Sequence, residues 1–386
     1  MSVSSSRSPI AAWWVSIDRT TLTCGLALIG IGLIVALAAS PAATGRIDIE
    51  DPFYFFSRQL MFAVAGVVVM FGASALAPVG VQRAAICTFA VSIGVMAAIL
   101  LVGAETKGAR RWLDFGVFSV QPTEVLKPAL VVLAAWLFAE RARRPWAPGG
   151  LIAFCLYAVS VALLVAQPDV GQTALITLAF MAVFFIAGMP WLWIAGLGVA
   201  AVIGAAAVYL ALPHVSARVE AFLNPTGSGG YQISKALDAI AYGGVLGRGP
   251  GEGAIKHQLP DAHSDFVFAV FAEEYGLMAA GGLLILFACV VVCGLREARR
   301  AEDPFRQFAA AGLFVLFGLQ AACNVAGNLN LIPPKGMTLP FISYGGSSMI
   351  GSALTLGFAL ALTRRPRRAV PPDAPARPGT TAGRLS

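Results

Sequence analysis

The chain has 386 residues, of which 58% are hydrophobic and only 12% are charged. Soluble domains carry about 25% charged residues, so this composition excludes an ordinary water-soluble fold. The net charge is +7, but the arginines cluster at the ends of apolar runs, which indicates membrane topology rather than binding to nucleic acid. Because several uncharged runs exceed about 20 residues and do not alternate, we predict an all-α polytopic membrane protein and exclude a β-barrel.

Ten transmembrane helices follow from the apolar runs, with one membrane domain over residues 20–363. In chain order they are Leu22–Ala39, Gln59–Leu76, Ala84–Val102, Thr123–Ala139, Leu151–Ala166, Thr173–Gly188, Trp191–Leu212, Phe266–Cys293, Phe308–Ala326 and Ser348–Thr363. An N-terminal tail of residues 1–19 precedes this domain. A basic, proline-rich tail of residues 364–386 follows it, and we expect that tail to be disordered.

Arginine clusters orient these helices across the membrane. The clusters lie at residues 141–144, 296–306 and 364–368. An even number of crossings puts both termini on one side. If that side is the cytoplasm, all three clusters fall on it, as the excess of cations in inner loops requires. The outer side then carries a large loop, residues 213–265, between the seventh and eighth helices.

The outer loop before the fourth helix is rich in cations. It contains Lys107, Arg110 and Arg111 next to Trp112. Cationic groups beside an indole suit a phosphate attached to a sugar or a lipid. The alternative is simple anchoring of the chain at the membrane interface, where tryptophan is common. Cations are normally concentrated in the cytoplasmic loops, and these lie on the outer side, so we favour an anionic ligand on the outer face.

Two other outer positions carry charge within or beside predicted helices. The fourth helix must include Glu124 and Lys127 to be long enough to cross, and residues three apart share one helix face. They form either an ion pair that lowers the cost of burial or part of a site, the usual role of ionisable groups in a membrane. Asp169 either caps the sixth helix or belongs to the same site.

The end of the large loop gathers acids at a membrane boundary. Asp261, His263 and Asp265 immediately precede the apolar run that begins at Phe266. A carboxylate held at the mouth of an apolar helix is costly, so it usually has a partner or a function. Asp265 is placed either to cap the eighth helix or to belong to a functional site.

Three neighbouring features have simpler interpretations. The glycine-rich segment of residues 243–253 either brings backbone amides to a phosphate or, as we favour, forms an ordinary flexible turn. The histidines of the large loop do not have the spacing of metal ligands on a helix. For Glu273 and Glu274 we expect solvation at the interface or pairing, rather than catalysis.

Six motifs, in this order, resemble the SEDS family (shape, elongation, division and sporulation), which includes FtsW and RodA. They are Gly108–Trp112, Gln121–Lys127, Gln167–Asp169, Leu259–Phe268, Glu273–Gly276 and Leu339–Ser348. Two shorter stretches, Gly247–Gly253 and Pro334–Thr338, are more similar to the division branch, FtsW, than to RodA. Ser264 stands where the family usually has threonine, which keeps the hydroxyl.

This resemblance implies a peptidoglycan glycosyltransferase that polymerises lipid II into β-1,4 glycan strands during cell division. The expected location is the outer face of the bacterial inner membrane, at the septum. Expected partners are lipid II, the lipid-linked nascent glycan, membrane lipids, a class B penicillin-binding protein that acts as transpeptidase, and other division proteins. Asp265 is the expected catalytic residue. The residues expected to bind substrate are Lys107, Arg110, Arg111, Trp112, Gln121, Glu124, Lys127, Asp169, His263 and Ser343.

The implied reaction replaces an α-linked diphosphate by a β-linked sugar, so it inverts configuration and needs one base. Asp265 is our candidate base, and nearby cations would assist the departing diphosphate, with or without Mg²⁺ or Mn²⁺. Two other functions are compatible with ten helices and buried charges: a lipid II flippase and a noncatalytic division scaffold. A flippase should carry polar gates on both leaflets, whereas here every polar motif is predicted on the outer side.

Overall fold

The structure, a computed structural model, describes residues 8–45, 49–103, 110–114, 116, 119–211, 216, 220, 228–333 and 336–365. Lys107 and the predicted disordered tail from residue 366 onwards lie outside these ranges.

The described ranges contain twelve α-helices, one short 3-10 helix and one β-hairpin. The helices are α1 (Pro9–Ser16), α2 (Arg19–Thr44), α3 (Tyr54–Ser74), α4 (Pro78–Val102), α5 (Thr123–Arg143), α6 (Gly149–Ala166), α7 (Val170–Ile186), α8 (Trp191–Ala211), α9 (Ser228–Gly243), α10 (Val267–Ala298), α11 (Pro304–Asn328) and α12 (Gly346–Thr363). The 3-10 helix is Ile255–His257, and the hairpin strands are β1 (Leu113–Asp114) and β2 (Ser119–Val120).

Ten of these helices coincide with the ten predicted crossings: α2 to α8 and α10 to α12. Seven of them are long and apolar enough to span a membrane on those criteria alone. Of the other three, α5 carries Glu124 and Lys127, and α7 has 17 residues. Helix α8 has 21 residues and no charged side chain, as its predicted crossing requires. The predicted all-α polytopic membrane fold is therefore confirmed.

Most helices extend beyond the predicted apolar runs because polar residues at the membrane interface remain helical. Helix α2 starts at Arg19, where the Asp18 carboxylate accepts backbone N–H groups as an N-cap. Helix α11 starts in the same way behind Asp303, with proline at its first position. Sequence patterns locate the apolar centre of a helix well and its polar ends less well.

The centre of the protein is formed by α5, α11 and α12. In the apolar part of α11 67% of the residues are buried, and in α12 83%, against 28% in α4 and 22% in α6. Helix α12 approaches α5 very closely at Gly351, where an added Cβ atom would lie 2.5 Å from the carbonyl oxygen of Glu124. This close packing brings the charged start of α5 into the interior of the bundle.

Helix α10 is broken near its outer end by Gly276, whose φ of 80° and ψ of 173° are not helical. The glycine-rich segment fills the break. The N–H of Leu277 donates to the Gly244 carbonyl (2.9 Å), and the N–H of Arg248 donates to the Glu273 carbonyl (3.0 Å). Backbone groups freed inside a membrane helix must find partners in the protein, and here the outer loop supplies them.

The glycine-rich segment is therefore a fitted part of the fold, and the flexible turn that we favoured is wrong. A Cβ atom at Gly247 would lie 2.2 Å from the Glu274 carbonyl oxygen, so only glycine fits there. The N–H groups of Arg248 and Gly249 are bonded to carbonyls of α10, so these two amides are not directed to a phosphate.

A buried ion pair fastens the same loop to α10. The Lys256 Nζ lies 2.5 Å from Glu274 Oε1, and these side chains are 3% and 1% exposed. The two carboxylate oxygens of Glu273 accept the N–H groups of Ile255 and Lys256 at 2.7 and 2.9 Å. The expected pairing is confirmed for Glu274, whereas Glu273 is bound to main-chain N–H groups instead of a cation. Both side chains are buried, so the expected solvation at the interface is wrong.

Candidate functional site

Asp265 lies in a tight turn just before α10. The carbonyl oxygen of Asp261 accepts the N–H groups of Ser264, Asp265 and Phe266 at 3.1 to 3.3 Å, and Asp261 itself has a φ of 54°. The N-cap position of α10 belongs to Phe266, so Asp265 precedes it by one residue. The half-buried Asp265 side chain is thus carried by a fixed turn at the mouth of the helix.

Two amides of α11 hold the main chain of Asp265. Asn324 and Asn328 each donate through Nδ2 to the Asp265 carbonyl oxygen, at 2.9 and 3.0 Å. Asn324 also donates to the Met337 carbonyl at 2.6 Å, and the Asn328 Oδ1 accepts the N–H of Ala269 at 3.2 Å. The turn, α10 and the loop before α12 therefore meet on one face of α11.

The loop before α12 clamps the same turn from the other side. Ser343 Oγ donates to the Ser264 carbonyl (2.6 Å), and the N–H of Tyr344 donates to the His263 carbonyl (2.8 Å). The His263 ring stacks on Phe55 of α3 with centroids 4.4 Å apart. His263, through its ring, and the buried Ser343, through its hydroxyl, therefore hold the backbone beside Asp265.

Glu124 and Lys127 form an ion pair on α5, which we call the α5 pair. The Lys127 Nζ lies 3.0 Å from both Glu124 oxygens and 2.9 Å from Gln320 Oε1 of α11. Gln172 Nε2 donates to Glu124 Oε1 at 2.9 Å. Both charged side chains are at most 3% exposed, so their charges are fully enclosed by each other and by two amides.

Asp169 joins this network from the start of α7. Its Oδ1 accepts the N–H of Gln172 as an N-cap, and its Oδ2 accepts Gln121 Nε2 at 3.3 Å. The Arg111 Nη1 lies 3.8 Å from Asp169 Oδ1. Burial raises the pKa of Asp169, and the nearby Arg111 charge opposes that rise. Capping and membership of the charged network thus coexist at Asp169.

A row of amides on α11 links the two halves of the site. Gln320, Asn324 and Asn328 are spaced four residues apart, so they lie on one helix face, and all three are buried. Gln320 contacts Lys127, while Asn324 and Asn328 hold Asp265. We call this row the amide ladder. Sequence reasoning missed it, although three amides at this spacing in an apolar helix form a readable polar stripe.

The predicted site residues fall into three groups. Arg111, Gln121, Glu124, Lys127 and Asp169 form one network, and Asp265, His263 and Ser343 form a second, joined to the first by the amide ladder. Arg110 and Trp112 lie at the exposed edge, before the β1–β2 hairpin. Arg110 donates to the Leu100 carbonyl at 3.5 Å.

Across the described ranges, no three His, Cys, Asp or Glu side chains are grouped so that they could hold a metal ion. Asp261 and Asp265 are two acids of one turn, which is fewer than the group of three that a metal site needs. A divalent ion there would take most of its oxygen ligands from a phosphate-bearing substrate, as Mg²⁺ commonly does.

Comparison with known proteins gives consistent matches over almost the whole chain. A family model described as cell cycle protein, covering FtsW, RodA and SpoVE, matches residues 18–368. The probable peptidoglycan glycosyltransferase FtsW of Caulobacter vibrioides is 51% identical over 359 residues, which is 93% of this chain and 92% of that protein. The protein of the same name from Halomonas elongata is 34% identical over 374 residues, or 93% and 94% of the two chains.

Two solved structures have a similar fold. One is a chain of a peptidoglycan synthase complex, studied for its coordination of polymerization and crosslinking, with a TM-score of 0.75 and 28% identity. It covers 91% of this chain and 98% of that one. The other is the rod shape determining protein RodA of Thermus thermophilus, with a TM-score of 0.66, 25% identity, and 91% and 97% of the chains covered.

Proposed function

Because this chain belongs to the family of cell cycle proteins that includes FtsW, RodA and SpoVE, we propose that it is a peptidoglycan glycosyltransferase of cell division. Both relatives cited above, at 51% and 34% identity, carry that activity in their names. The substrate we propose is lipid II, a disaccharide-peptide carried on a polyprenyl diphosphate. The product is a β-1,4 glycan strand.

The observation that carries this proposal is the joining of Asp265 to the α5 pair through one helix. A half-buried carboxylate on a fixed turn is positioned to accept a proton, because its backbone cannot move away during the reaction. The amide ladder fixes its position relative to Lys127 and Glu124, whose charges are held in the bundle. Such a preorganised arrangement suits a transfer reaction better than a passive scaffold.

Asp265 acts as the general base in this proposal. It removes the proton from the 4-hydroxyl of the acceptor sugar as that oxygen attacks the anomeric carbon of the donor. The bond from that carbon to the diphosphate breaks on the opposite face, so the configuration inverts and no second carboxylate is required. Cationic groups at the outer face stabilise the departing diphosphate.

The α5 pair is proposed to hold the neighbouring helices α5, α7 and α11 in position rather than to bind the diphosphate directly. Lys127 already contacts Glu124 and Gln320, so its three donors are engaged. Arg111, Gln121 and Asp169 form the wall next to it. A divalent cation bound with the diphosphate would add to the neutralisation of charge.

For the partner, we propose a penicillin-binding protein that crosslinks the new strands. A chain of similar fold belongs to a synthase complex that couples polymerization to crosslinking. We place the reaction on the outer face of the inner membrane, at the division septum, with both termini in the cytoplasm. The polar clusters at one end of the helices and the arginines at the other support that orientation.

The test is polymerisation of lipid II by purified protein in liposomes, with and without the partner. Asp265→Asn should abolish polymer formation while the protein stays folded. Asp261→Asn is the matched control, because it lies in the same turn and asparagine tolerates its positive φ. Glycan synthesis by Asp265→Asn at the wild-type rate would contradict the assignment of the base. Translocation of lipid II without polymer would instead identify a flippase. The absence of both polymerisation and translocation would indicate a scaffold.

A further inference from the structure

Two of the cations expected to receive the diphosphate, Arg111 and Lys127, are already paired with acids. Four outer cations lie within 4 Å of a carboxylate, each with a different partner: Arg111 with Asp169, Lys127 with Glu124, Lys235 with Asp238, and Lys256 with Glu274. A cation already neutralised by a carboxylate is a poor acceptor for a second anion, because one of the two pairs must break.

Arg58, at the outer end of α3, differs from these four. Its guanidinium stacks over the Tyr54 ring at 4.5 Å, and it is half-buried. Within the part of the chain that the structure describes, no carboxylate lies within 4 Å of it. The neighbouring Ser57, Leu60 and Met61 are exposed, so this side of α3 faces the lipid. Arg58 therefore combines an open charge with access from the bilayer.

Arg58 is also anchored next to the turn that carries Asp265. The adjacent Gln59 donates through Nε2 to the Ser343 carbonyl (3.2 Å), and its Oε1 accepts the N–H of Gly345 (3.4 Å). Ser343 in turn donates to the carbonyl of Ser264, the residue before Asp265. The start of α3 is thus fixed to the loop that clamps the catalytic turn.

The charge of Arg58 acts on this loop directly. Burial raises the pKa of the Tyr344 hydroxyl, and the Arg58 charge and hydrogen bond oppose that rise. Tyr344 lies 5.0 Å from Phe55 and 5.5 Å from His263, ring centre to ring centre. The Arg58 guanidinium and the Tyr344 hydroxyl are therefore neighbours, next to the aromatic cluster around His263.

We propose that Arg58, with Tyr344 beside it, binds the diphosphate of a polyprenyl-linked sugar at the lipid-exposed edge of the site. A guanidinium binds phosphate oxygens through two parallel hydrogen bonds and stays charged under all relevant conditions. Arg58 lies near the start of α3, beside the exposed Leu60 and Met61, so a headgroup whose polyprenyl chain remains in the bilayer can reach it. This inference rests on the proposed function, because it names the residue that holds that substrate.

Kinetics with the lipid-linked disaccharide test the role in turnover. Arg58→Ala should raise KM by about tenfold or more, and Arg58→Lys by less, because lysine keeps the charge but loses the paired donors. The matched control is Arg248→Ala: this outer arginine also stacks on a tyrosine, Tyr242 at 4.0 Å, and lies outside the site. It should leave KM within about twofold of wild type. Equal KM values for Arg58→Ala and wild type would overturn the proposal.

A binding measurement separates this inference from the activity. Undecaprenyl diphosphate should raise the melting temperature of purified wild-type protein in detergent, and should raise that of Arg58→Ala much less. Inorganic diphosphate and anionic phospholipid are the comparison ligands. An equal effect of all three on wild type, or an equal shift in both proteins, would overturn the assignment. If Arg58-dependent binding occurs but wild type makes no polymer, the proposed function fails and the binding site stands.

Discussion

Two buried lysine–glutamate pairs in this protein differ in what they connect. The α5 pair joins residues three apart on one helix, with Lys127 Nζ 3.0 Å from Glu124. The second pair, which we call the loop pair, joins Lys256 of the outer loop to Glu274 of α10 at 2.5 Å. All four side chains are at most 3% exposed. The two pairs are equally buried and chemically alike, yet the α5 pair is a contact within one helix, whereas the loop pair holds two separate segments together.

The neighbours of each pair indicate its purpose. The α5 pair is surrounded by side-chain amides, Gln172 and Gln320, which belong to the network around the site. Lys256 instead donates to the main-chain carbonyls of Ala38 and Gly251 at 3.1 and 3.0 Å, so it fastens three segments of chain. We infer that the loop pair stabilises the fold and that the α5 pair serves the reaction.

The largest effect on stability should come from breaking the loop pair. Lys256→Met leaves Glu274 buried without a cation, beside Glu273, and one Glu274 oxygen already has no hydrogen-bond partner in the described ranges. We expect a loss of about 3–5 kcal/mol in the free energy of unfolding, the usual cost of an uncompensated buried charge. Thermal unfolding in detergent measures it.

The double variant Lys256→Met with Glu274→Gln is the control for this prediction. It removes both charges, so most of the lost stability and most of the polymerisation activity should return. A double variant that is as unstable as the single one would mean that the contacts of Lys256 with the main chain, rather than its charge, carry the stabilisation.

Breaking the α5 pair should cost less stability and more activity. In Lys127→Met, Glu124 keeps its bond from Gln172, so we expect the lower end of the same range, about 3 kcal/mol. Polymerisation should fall by about 100-fold, because the helices that the pair holds can then shift, and a misplacement of reacting groups by about 1 Å costs that much. Stability and rate are measured on the same preparation.

Here the double variant gives the sharper comparison. Glu124→Gln with Lys127→Met should regain stability, as in the loop pair, but should not regain activity. Recovery of both properties would show that the α5 pair, like the loop pair, only supports the fold, and the distinction between the two pairs would be lost.

The smallest expected effect concerns Asp169, the acid next to the α5 pair. Burial raises its pKa in the folded protein above the reference value of 3.8, and the Glu124 charge adds to that rise. The folded state then binds more protons than the unfolded state between these two values. Stability from this group is full below about pH 3.8 and is lost as pH rises through the folded pKa.

Melting temperature as a function of pH measures this contribution. Asp169→Asn should remove that part of the pH dependence, apart from a constant offset from the lost contact with Arg111. A stability difference between wild type and Asp169→Asn that grows in favour of wild type as pH rises would contradict the stated sign.

The sequence was sufficient for the parts of the structure that depend on local spacing. Ten apolar runs predicted ten helices, and the three-residue spacing of Glu124 and Lys127 predicted their contact. The position of Asp265 at the mouth of a helix followed from the join between loop and apolar run. Each of these features depends on residues close together in the chain, which periodicity reports directly.

Features that depend on distant residues were not predictable in the same way. Nothing local indicates that Lys256 meets Glu274 or that Gly276 breaks α10, because both depend on how the outer loop folds back. The four-residue spacing of the amide ladder is visible in the sequence, but its purpose is not, because its partners Lys127 and Asp265 lie in other segments. Nothing local separates Arg58 from the other outer cations, because an acid that pairs with one of them, such as Asp169 with Arg111, is distant in the chain.

The break in α10 changes where one functional unit ends and the next begins. Because the glycine-rich segment supplies the hydrogen bonds that Gly276 leaves open, the loop and the outer half of α10 are a single module. In a chimera between relatives, residues 243–278 should therefore be exchanged as one block. Grafting the loop alone would pair the break at Gly276 with the backbone of a different loop, whose hydrogen-bonding groups need not match.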